Sequence, residues 1–441
     1  MPLVTYREVQ VAIRCGKFSF DLASMASNQP RTLVATGFES RLQASESSKK
    51  EPTASPQELA IQLYDRVQDL EGLRPDWEGL LATFRSGTTF STWEWLAPWW
   101  EAFGGQKKLR VLAARDGSSL VGLACFSLTT ERIFGSNMRV LRLMGDGSHD
   151  SDNLDLPVHP DYATAFGQAV FNWLEHSNEW DICQLRTMPG VSLVGNGLLG
   201  ILKARAWKVY LSTRPQSVIP LPESWKAYLK GLSSKERGKI GIRTRRLEKK
   251  YQVLIRKCAA ESELDAALEA LYQLHRKHWE LRGLPGTLHV SERRQFYRNL
   301  AAALLARKRL EFWLLEADNK IVAAQFGFRH ADTVFSLQEG FDPAFSSDSV
   351  GYVLRGQVLK NLIADGVRKY DFLGGTDESK LRWGAEVKRY INLEFARPRT
   401  RGRVCLLLRD TSARTKKWLR TRLPDPLWRV SKFLAGRKPR P

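Results

Sequence analysis

A loop of small polar residues, Ser346, Ser347, Ser349 and Gly351, joins an apolar strand pattern (TVFSLQEGF, residues 333–341) to a helical one (VLRGQVLKNLIADG, 353–366). A loop entering a helix N-terminus presents backbone N–H groups without intrahelical partners, and the helix dipole adds positive potential there. Small side chains let a phosphate approach that backbone. The segment therefore reads either as a pyrophosphate site or as a strand-to-helix connection capped by Ser or Asp. Just before it, Glu339 stands among apolar strand residues, where burial would raise its pKa toward the range of a general base. Asp342, and Asp152 and Asp155 in SDNLDLPV (151–158), are further carboxylates, each equally at home as a turn or cap acid. His275 and His278 share a predicted helix beside Trp279, but no third ligand has a recognisable place, so no metal centre is expected. Neither a Gly-x-Ser-x-Gly nucleophile motif nor a Walker phosphate loop is found.

The charge is concentrated. The 441 residues carry a net +21. Residues 226–257 hold twelve Lys or Arg against Glu236 and Glu248, a net +10, and residues 399–441 hold fourteen against Asp410 and Asp425, a net +12. The rest of the chain is near neutral, so anionic partners should meet these two segments: phosphates, nucleic acid, acidic glycans or an anionic membrane. Arg243, Arg245 and Arg246 lie in the first. In the second, residues 413–435 place Trp418, Leu419, Leu423, Leu427, Trp428, Val430 and Phe433 between basic residues, a composition suited to peripheral contact with an anionic membrane. The longest apolar runs span only a few residues, such as Val404 to Leu408, too few to cross a bilayer. The N-terminus shows no signal-peptide pattern, and the five cysteines (Cys15, Cys125, Cys183, Cys258, Cys405) lack metal or redox spacing. Reduced thiols and a cytoplasmic location are expected.

The elements that position these residues recur. LRVLAARDGSSLVGLACFSL (109–128) and LEFWLLEADNKIVAAQFGF (310–328) each read as a hairpin with an acidic turn, and each is followed by a helix and then an Asp-containing strand, with Asp181 in the first copy and Asp371 in the second. An internal repeat of this length predicts an α/β (α+β) chain with two tandem modules, each a mixed central sheet flanked by helices. The expected boundaries are a polar tail at 1–55, modules at 56–218 and 219–398, and a basic tail at 399–441. A helix is expected from Pro56 through Leu59, Leu63, Val67 and Leu70. FSTWEWLAPWWEAFG (90–104) should be core. Ser233 with Glu236 forms a capping box that opens the basic helix, Ser262 with Asp265 opens the next, and Ser291 opens a third.

This order of elements resembles the GNAT acyltransferases, and the tandem copies resemble the paired modules of the FemABX-like group. More specifically, residues 85–396 are similar to acetyltransferases of cellulose or exopolysaccharide biosynthesis of the CelD/BcsL type. The pieces that match are FSTWEWLAPWWEAFG, SDNLDLPV, LPESWKAYLKGLSSKERGKIGIRTRRLE, VGYVLRGQVLKNLIADGVRKYDFLGG and SKLRWG. The resemblance implies acetyl-CoA or another acyl-CoA as donor, with the pyrophosphate against the backbone of Ser349, Val350, Gly351, Tyr352, Val353 and Leu354. The usual Gln/Arg-x-x-Gly-x-Gly/Ala loop departs here to Asp348-Ser-Val-Gly351-Tyr-Val353. It also implies Glu339 as base, Lys380 near the acyl centre, where it would stabilise an oxyanion or hold a phosphate, and Tyr352 as proton donor to the leaving thiolate. The acceptor it implies is a phosphorylated or lipid-linked sugar, held by Arg243, Arg245, Arg246, Asp152 and Asp155. Aminoacyl-tRNA as donor, and a non-catalytic scaffold that binds an anionic glycan or synthase partner, are the alternatives.

Overall fold

The computed structural model describes residues 59–84, 89–281, 283, 286 and 288–422. The polar tail expected at 1–55, Cys15 and the stretch 423–435 lie outside them.

The first half runs β1 (Ala60–Tyr64), α1 (Arg74–Thr83), α2 (Trp93–Phe103), β2 (Lys108–Asp116), β3 (Ser119–Ile133), β4 (Ser136–Leu143), α3 (Ala163–His176), β5 (Ile182–Pro189), α4 (Leu193–Ala204) and β6 (Val209–Pro220). Two linking helices follow, α5 (Trp225–Gly231) and α6 (Ser234–Lys250). The second half repeats the order: β7 (Val253–Lys257), α7 (Glu261–Glu280), α8 (Ser291–Ala306), β8 (Leu310–Ala317), β9 (Lys320–His330), β10 (Thr333–Phe341), α9 (Val350–Ala364), β11 (Lys369–Gly374), α10 (Glu378–Leu381) and β12 (Glu386–Phe395). A final helix, α11 (Arg401–Arg422), closes the described chain.

The repeat extends to register. The β2–β3 and β8–β9 hairpins are both antiparallel, and each carries an irregularity just before its turn, at Ala114/Arg115 and Leu315/Glu316. The second turn places Asp318 and Asn319 at φ 49° and 61°, the left-handed pair that a two-residue hairpin loop needs. Among the described residues, each half has one parallel pair of strands, β4 with β5 and β10 with β11, for three residues each. The sheets, however, do not stay separate. All twelve strands form one sheet in the order β1-β2-β3-β4-β5-β12-β6-β11-β10-β9-β8-β7. The last strand of each half is exchanged: β12 pairs with β5, β6 pairs with β11, and the two pair antiparallel with each other. The fold is the expected mixed sheet with flanking helices, but the halves share a centre instead of packing side by side.

Trp95 and Trp99 are fully buried, and Trp95 meets Phe296 and Phe328 of the second half edge-on or tilted. The aromatic run is thus core between the halves, at about 1.5–3 kcal/mol for each fully buried large apolar side chain. Two expected helix starts shift. Residues 60–64 form the edge strand β1 on β2, because backbone pairing there outweighs a sparse helical period. Helix α7 begins at Glu261, where Glu263 accepts from the backbone N–H groups of Ala259 and Ala260, a cap that reaches back from inside the helix. Ser233 caps α6 as expected, accepting from Glu236 N at 3.3 Å.

Candidate active site

Strand β10 ends at Phe341, and a single turn, Pro343–Asp348, leads into α9. Ser349 enters the helix with φ 58°, in the left-handed region, and its carbonyl accepts from both Tyr352 N and Val353 N. Asp348, the acid that would repel a phosphate, is turned away from the mouth. It ion-pairs with Lys250 at 2.9 Å and accepts from the Tyr251 hydroxyl at 3.1 Å. Lys250 and Tyr251 hold its pKa below the usual carboxylate range. Lys250 ends the basic helix α6, which packs against α9. Of the residues expected at a donor, Val350, Val353 and Leu354 are core, and Val350 has no exposed surface. Ser349, Gly351 and Tyr352 are half-buried. A Cβ on Gly351 would meet Phe341 at 3.4 Å, an ordinary contact.

Beside this mouth lies a stacked cluster. Arg243 of α6 sits over the Tyr352 ring at 4.4 Å, and Tyr352 leans on Trp383 at 4.4 Å. Arg355 lies against the rings of Phe372 and Trp383 and ion-pairs with Glu339. Glu339 is exposed, and besides Arg355 it accepts from Ser336. The expected apolar burial of Glu339 is therefore corrected: at the end of β10 its side chain turns outward to a guanidinium. Burial pushes the Tyr352 phenol up to about 12. Arg245 and Arg246 are exposed on α6, with Arg246 close enough to help lower the Asp348 pKa.

The third group of residues gathers at the end of β11. The Gly374 N–H donates to Asp152 Oδ2 at 2.7 Å, so the 144–162 loop of the first half reaches into the second. Lys380 is buried, and its ammonium donates to the carbonyls of Phe372, Gly374 and Gly375 at 3.2–3.3 Å. Lys380 therefore secures the turn after β11. Asn153 donates to the Tyr390 hydroxyl at 3.1 Å, and Arg214 stands 3.7 Å from Asp152. Asp155 is elsewhere: it accepts from Ser192 and from Leu156 N, a loop-holding acid. The structure thus unites Asp152 and Lys380, unites Arg243, Tyr352 and Glu339, and leaves Asp155 outside both groups.

Sequence reasoning passed over Asp371 as a site residue. It is 3% exposed, accepts from Leu373 N at 2.8 Å and from the Gln216 amide, and lines a cleft of about 980 Å³ between the halves. Desolvation by burial, opposed by its hydrogen bonds and reinforced by Asp152, pushes its pKa up to about 7. The Asp181 equivalence suggested by the repeat also shifts. Register pairs Phe335 with Asp371 and Arg142 with Gln184, the third pair of each parallel ladder, so Gln184 is the counterpart of Asp371. Arg307, Arg309, Lys369, Lys388 and Arg389 also line the cleft, with Glu78, Glu94 and Asp332 as its other acids. His275, expected as a buried partner, accepts from the Trp279 indole at 2.8 Å.

Comparison with known proteins agrees with this architecture. Residues 234–381 match the family model described as an acetyltransferase (GNAT) domain, and this stretch runs from α6 to α10. The chain therefore carries a GNAT-type transferase domain. No curated protein matches it in sequence. Among solved structures, FemX is similar at 11% identity and a TM-score of 0.53, over 76% of this chain and 97% of that one, a likeness of fold. A conserved protein of unknown function from Bacteroides thetaiotaomicron VPI-5482 aligns at 12% identity and TM-score 0.48, over 77% and 100%. A tandem GNAT protein from the clavulanic acid biosynthesis pathway aligns at 13% and 0.40, over 76% and 98%. Among the described residues no helix is long and apolar enough to cross a membrane.

Proposed function

We propose that this chain transfers an acyl group from acyl-CoA to an amine or hydroxyl on a phosphorylated or lipid-linked sugar used in envelope polysaccharide assembly. An acetyl group is the simplest cargo, and cellulose or exopolysaccharide synthesis is the setting that the sequence resemblance suggests. The observation that carries the donor reading is the mouth of α9, where Asp348 is held aside by Lys250 and Tyr251 while Ser349 and Gly351 stay open. Backbone donors, the helix dipole and the cations of α6 would attract the pyrophosphate without a basic loop residue. The basic helix lies beside the donor mouth, so Arg243 and Arg246 serve the donor's phosphates in this reading. The acceptor would occupy the cleft between the halves, where Lys388 and Arg389 suit its phosphate. The acceptor nitrogen or oxygen attacks the thioester carbonyl, a C–N or C–O bond forms, the C–S bond breaks, and the thiolate departs and is protonated.

The same position of α6 supports a second reading, in which Arg245 and Arg246 follow the phosphates of an aminoacyl-tRNA. Helix α11 supports peripheral membrane contact at the cytoplasmic face: Val404, Leu407, Leu408 and Trp418 are exposed along it, in a strongly basic segment.

Calorimetry with acetyl-CoA tests the donor reading. Ser349→Asp should abolish the binding heat, and Ser349→Asn should retain it, since both side chains tolerate a left-handed backbone and only one is charged. Equal heats for the two variants would sink the reading. Competition by charged tRNA, absent with acetyl-CoA, would favour the second.

A further inference from the structure

We propose that Asp371 is the general base that takes the proton of the attacking acceptor, with Asp152 as its positioning residue. This rests on the acyl-transfer reading above and assigns a residue to it. Asp371 and Asp152 come from opposite halves of the chain and grip neighbouring amides of one bulged segment: Asp371 Oδ1 takes Leu373 N, and Asp152 Oδ2 takes Gly374 N. The β11–β6 register breaks between Asp371 and Gly374, and Leu373 adopts φ 60°. Asp371 itself is in register with Val218 and Phe335, so the pleat puts its side chain on the same sheet face as those two, and all three line the cleft. Asp150 and Asp181, also buried, are each ion-paired to arginine, whereas Asp371 lines the cleft. Here the partners within hydrogen-bond reach are neutral, the Gln216 amide and a backbone N–H. The charged and titratable groups that bear on it are Asp152 from the loop, Lys380 from α10 and Tyr390 from β12, with Arg214 of β6 beside Asp152 and Tyr390. Their balance leaves the carboxyl half-ionised near neutrality, which suits a base that must both accept and release a proton.

In the step itself the acceptor N–H or O–H proton passes to Asp371 as the new C–N or C–O bond forms. The C–S bond of the thioester breaks, and the thiolate carries off the electron pair. Asp371 returns its proton to water when the product leaves. Glu339 is then free of that duty and remains the partner of Arg355.

The acceptor is unidentified, so the probe is water: release of free CoA from acetyl-CoA, followed by thiol reagent across pH. Asp371→Asn should lower it at least 100-fold and remove the rising limb near pH 7, with acetyl-CoA affinity unchanged by calorimetry. Asp371→Gly should recover part of the rate when sodium formate is added. Asp152→Asn should keep the limb but move it to lower pH, a shift that a purely structural role would not produce. Activity of Asp371→Asn within threefold of wild type, or an unmoved limb, overturns the inference. Infrared difference spectra between wild type and Asp371→Asn decide the matter if turnover with water is too slow. A protonated-carboxyl band present at about pH 5.5 and lost by about pH 8.5 supports the inference, and its absence at about pH 5.5 overturns it. Binding of acetyl-CoA is read separately, so loss of the donor assignment and loss of the base remain distinguishable.

Discussion

The two halves answer the same topological position in opposite ways. In the second half the link from β10 to α9 is short, and it presents a small-residue helix mouth. In the first half residues 144–162 connect β4 to α3, and they carry Asp146, Asp150, Asp152, Asp155 and Asp161. That loop docks on the other half. Asp150 meets Arg293 and the Tyr297 hydroxyl, Arg293 also donates to the Ser148 carbonyl, Asn153 meets Tyr390, and Asp152 meets Gly374. The adjacent parallel strands differ in the same sense. Gln184 accepts from Arg142 at 2.9 Å and donates to Glu394, whose other partner is Arg409 of α11. Its counterpart Asp371 faces an open cleft. In the acyl-transfer reading proposed above, the second half supplies the donor site and the first half's loop forms the wall beside it. Both halves keep a bulge here, with Thr187 and Leu373 in left-handed backbone, so the bulge belongs to the shared architecture, while the carboxyl is present in the second half alone at this register position.

The largest expected effect breaks the docking of that loop. Arg293→Ala leaves Asp150, whose side chain is 1% exposed, buried without its cation. Loss of one partner from a buried pair costs about 3–5 kcal/mol, so urea unfolding should shift by that amount. The double change Asp150→Asn with Arg293→Met should recover most of it. If Arg293→Ala costs under about 1 kcal/mol, the first half does not depend on this contact.

Next comes the carboxyl that distinguishes the strands. Its folded pKa of about 7 lies above the unfolded value of about 3.9, so between these the folded state binds the extra proton. Stability must then fall as pH rises through that window and level off above it. Relative to Asp371→Asn, the wild type should lose roughly 2–3 kcal/mol between about pH 5 and pH 7. Gln184→Asn should show no such slope. Parallel pH profiles for wild type and Asp371→Asn would erase the distinction.

Much of this was legible in the chain. Hairpin spacing and acidic turns expose the repeat, because period-two apolar runs with short polar turns have few other solutions. The basic stretch with a Ser cap places α6. The strand exchange was hidden, since β6 and β12 look like ordinary final strands and only pairing partners reveal the swap. Asp371 was visible as a residue and was matched to Asp181, which instead pairs with Arg139 and Arg401. Side-chain identity suggested that match, and ladder register corrects it. The expected burial of Glu339 is corrected for a related reason: apolar neighbours in sequence do not bury a residue at a strand end. Asp348 looked like an obstacle because its partners, Lys250 and Tyr251, lie about a hundred residues away.

That partnership gives a smaller effect. Asp348→Ala removes a negative charge next to the α9 mouth and releases Lys250 toward it. Acetyl-CoA affinity should tighten roughly two- to fivefold at low salt, with the gain shrinking as ionic strength rises. Weaker binding would mean that Asp348 shapes the mouth instead of being held clear of it.

The smallest effect concerns the phenol of Tyr352. A proton donor to the leaving thiolate should have a pKa near that of the thiol, about 8.5. Burial lifts Tyr352 to about 12, so the transfer would be uphill by roughly 5 kcal/mol. Its ring, by contrast, is held by two contacts, Arg243 over it at 4.4 Å and Trp383 tilted against it at 4.4 Å. Tyr352→Phe keeps that stack and removes only the hydroxyl, whose contact with Glu236 is long at 3.5 Å. Acyl transfer should therefore change less than threefold. Tyr352→Ala removes the platform under Arg243 and should weaken acetyl-CoA binding more than Tyr352→Phe does. A tenfold or greater loss of kcat in Tyr352→Phe, with acetyl-CoA affinity intact, would return the proton to the phenol and make the second half's helix mouth a catalytic element as well as a binding one.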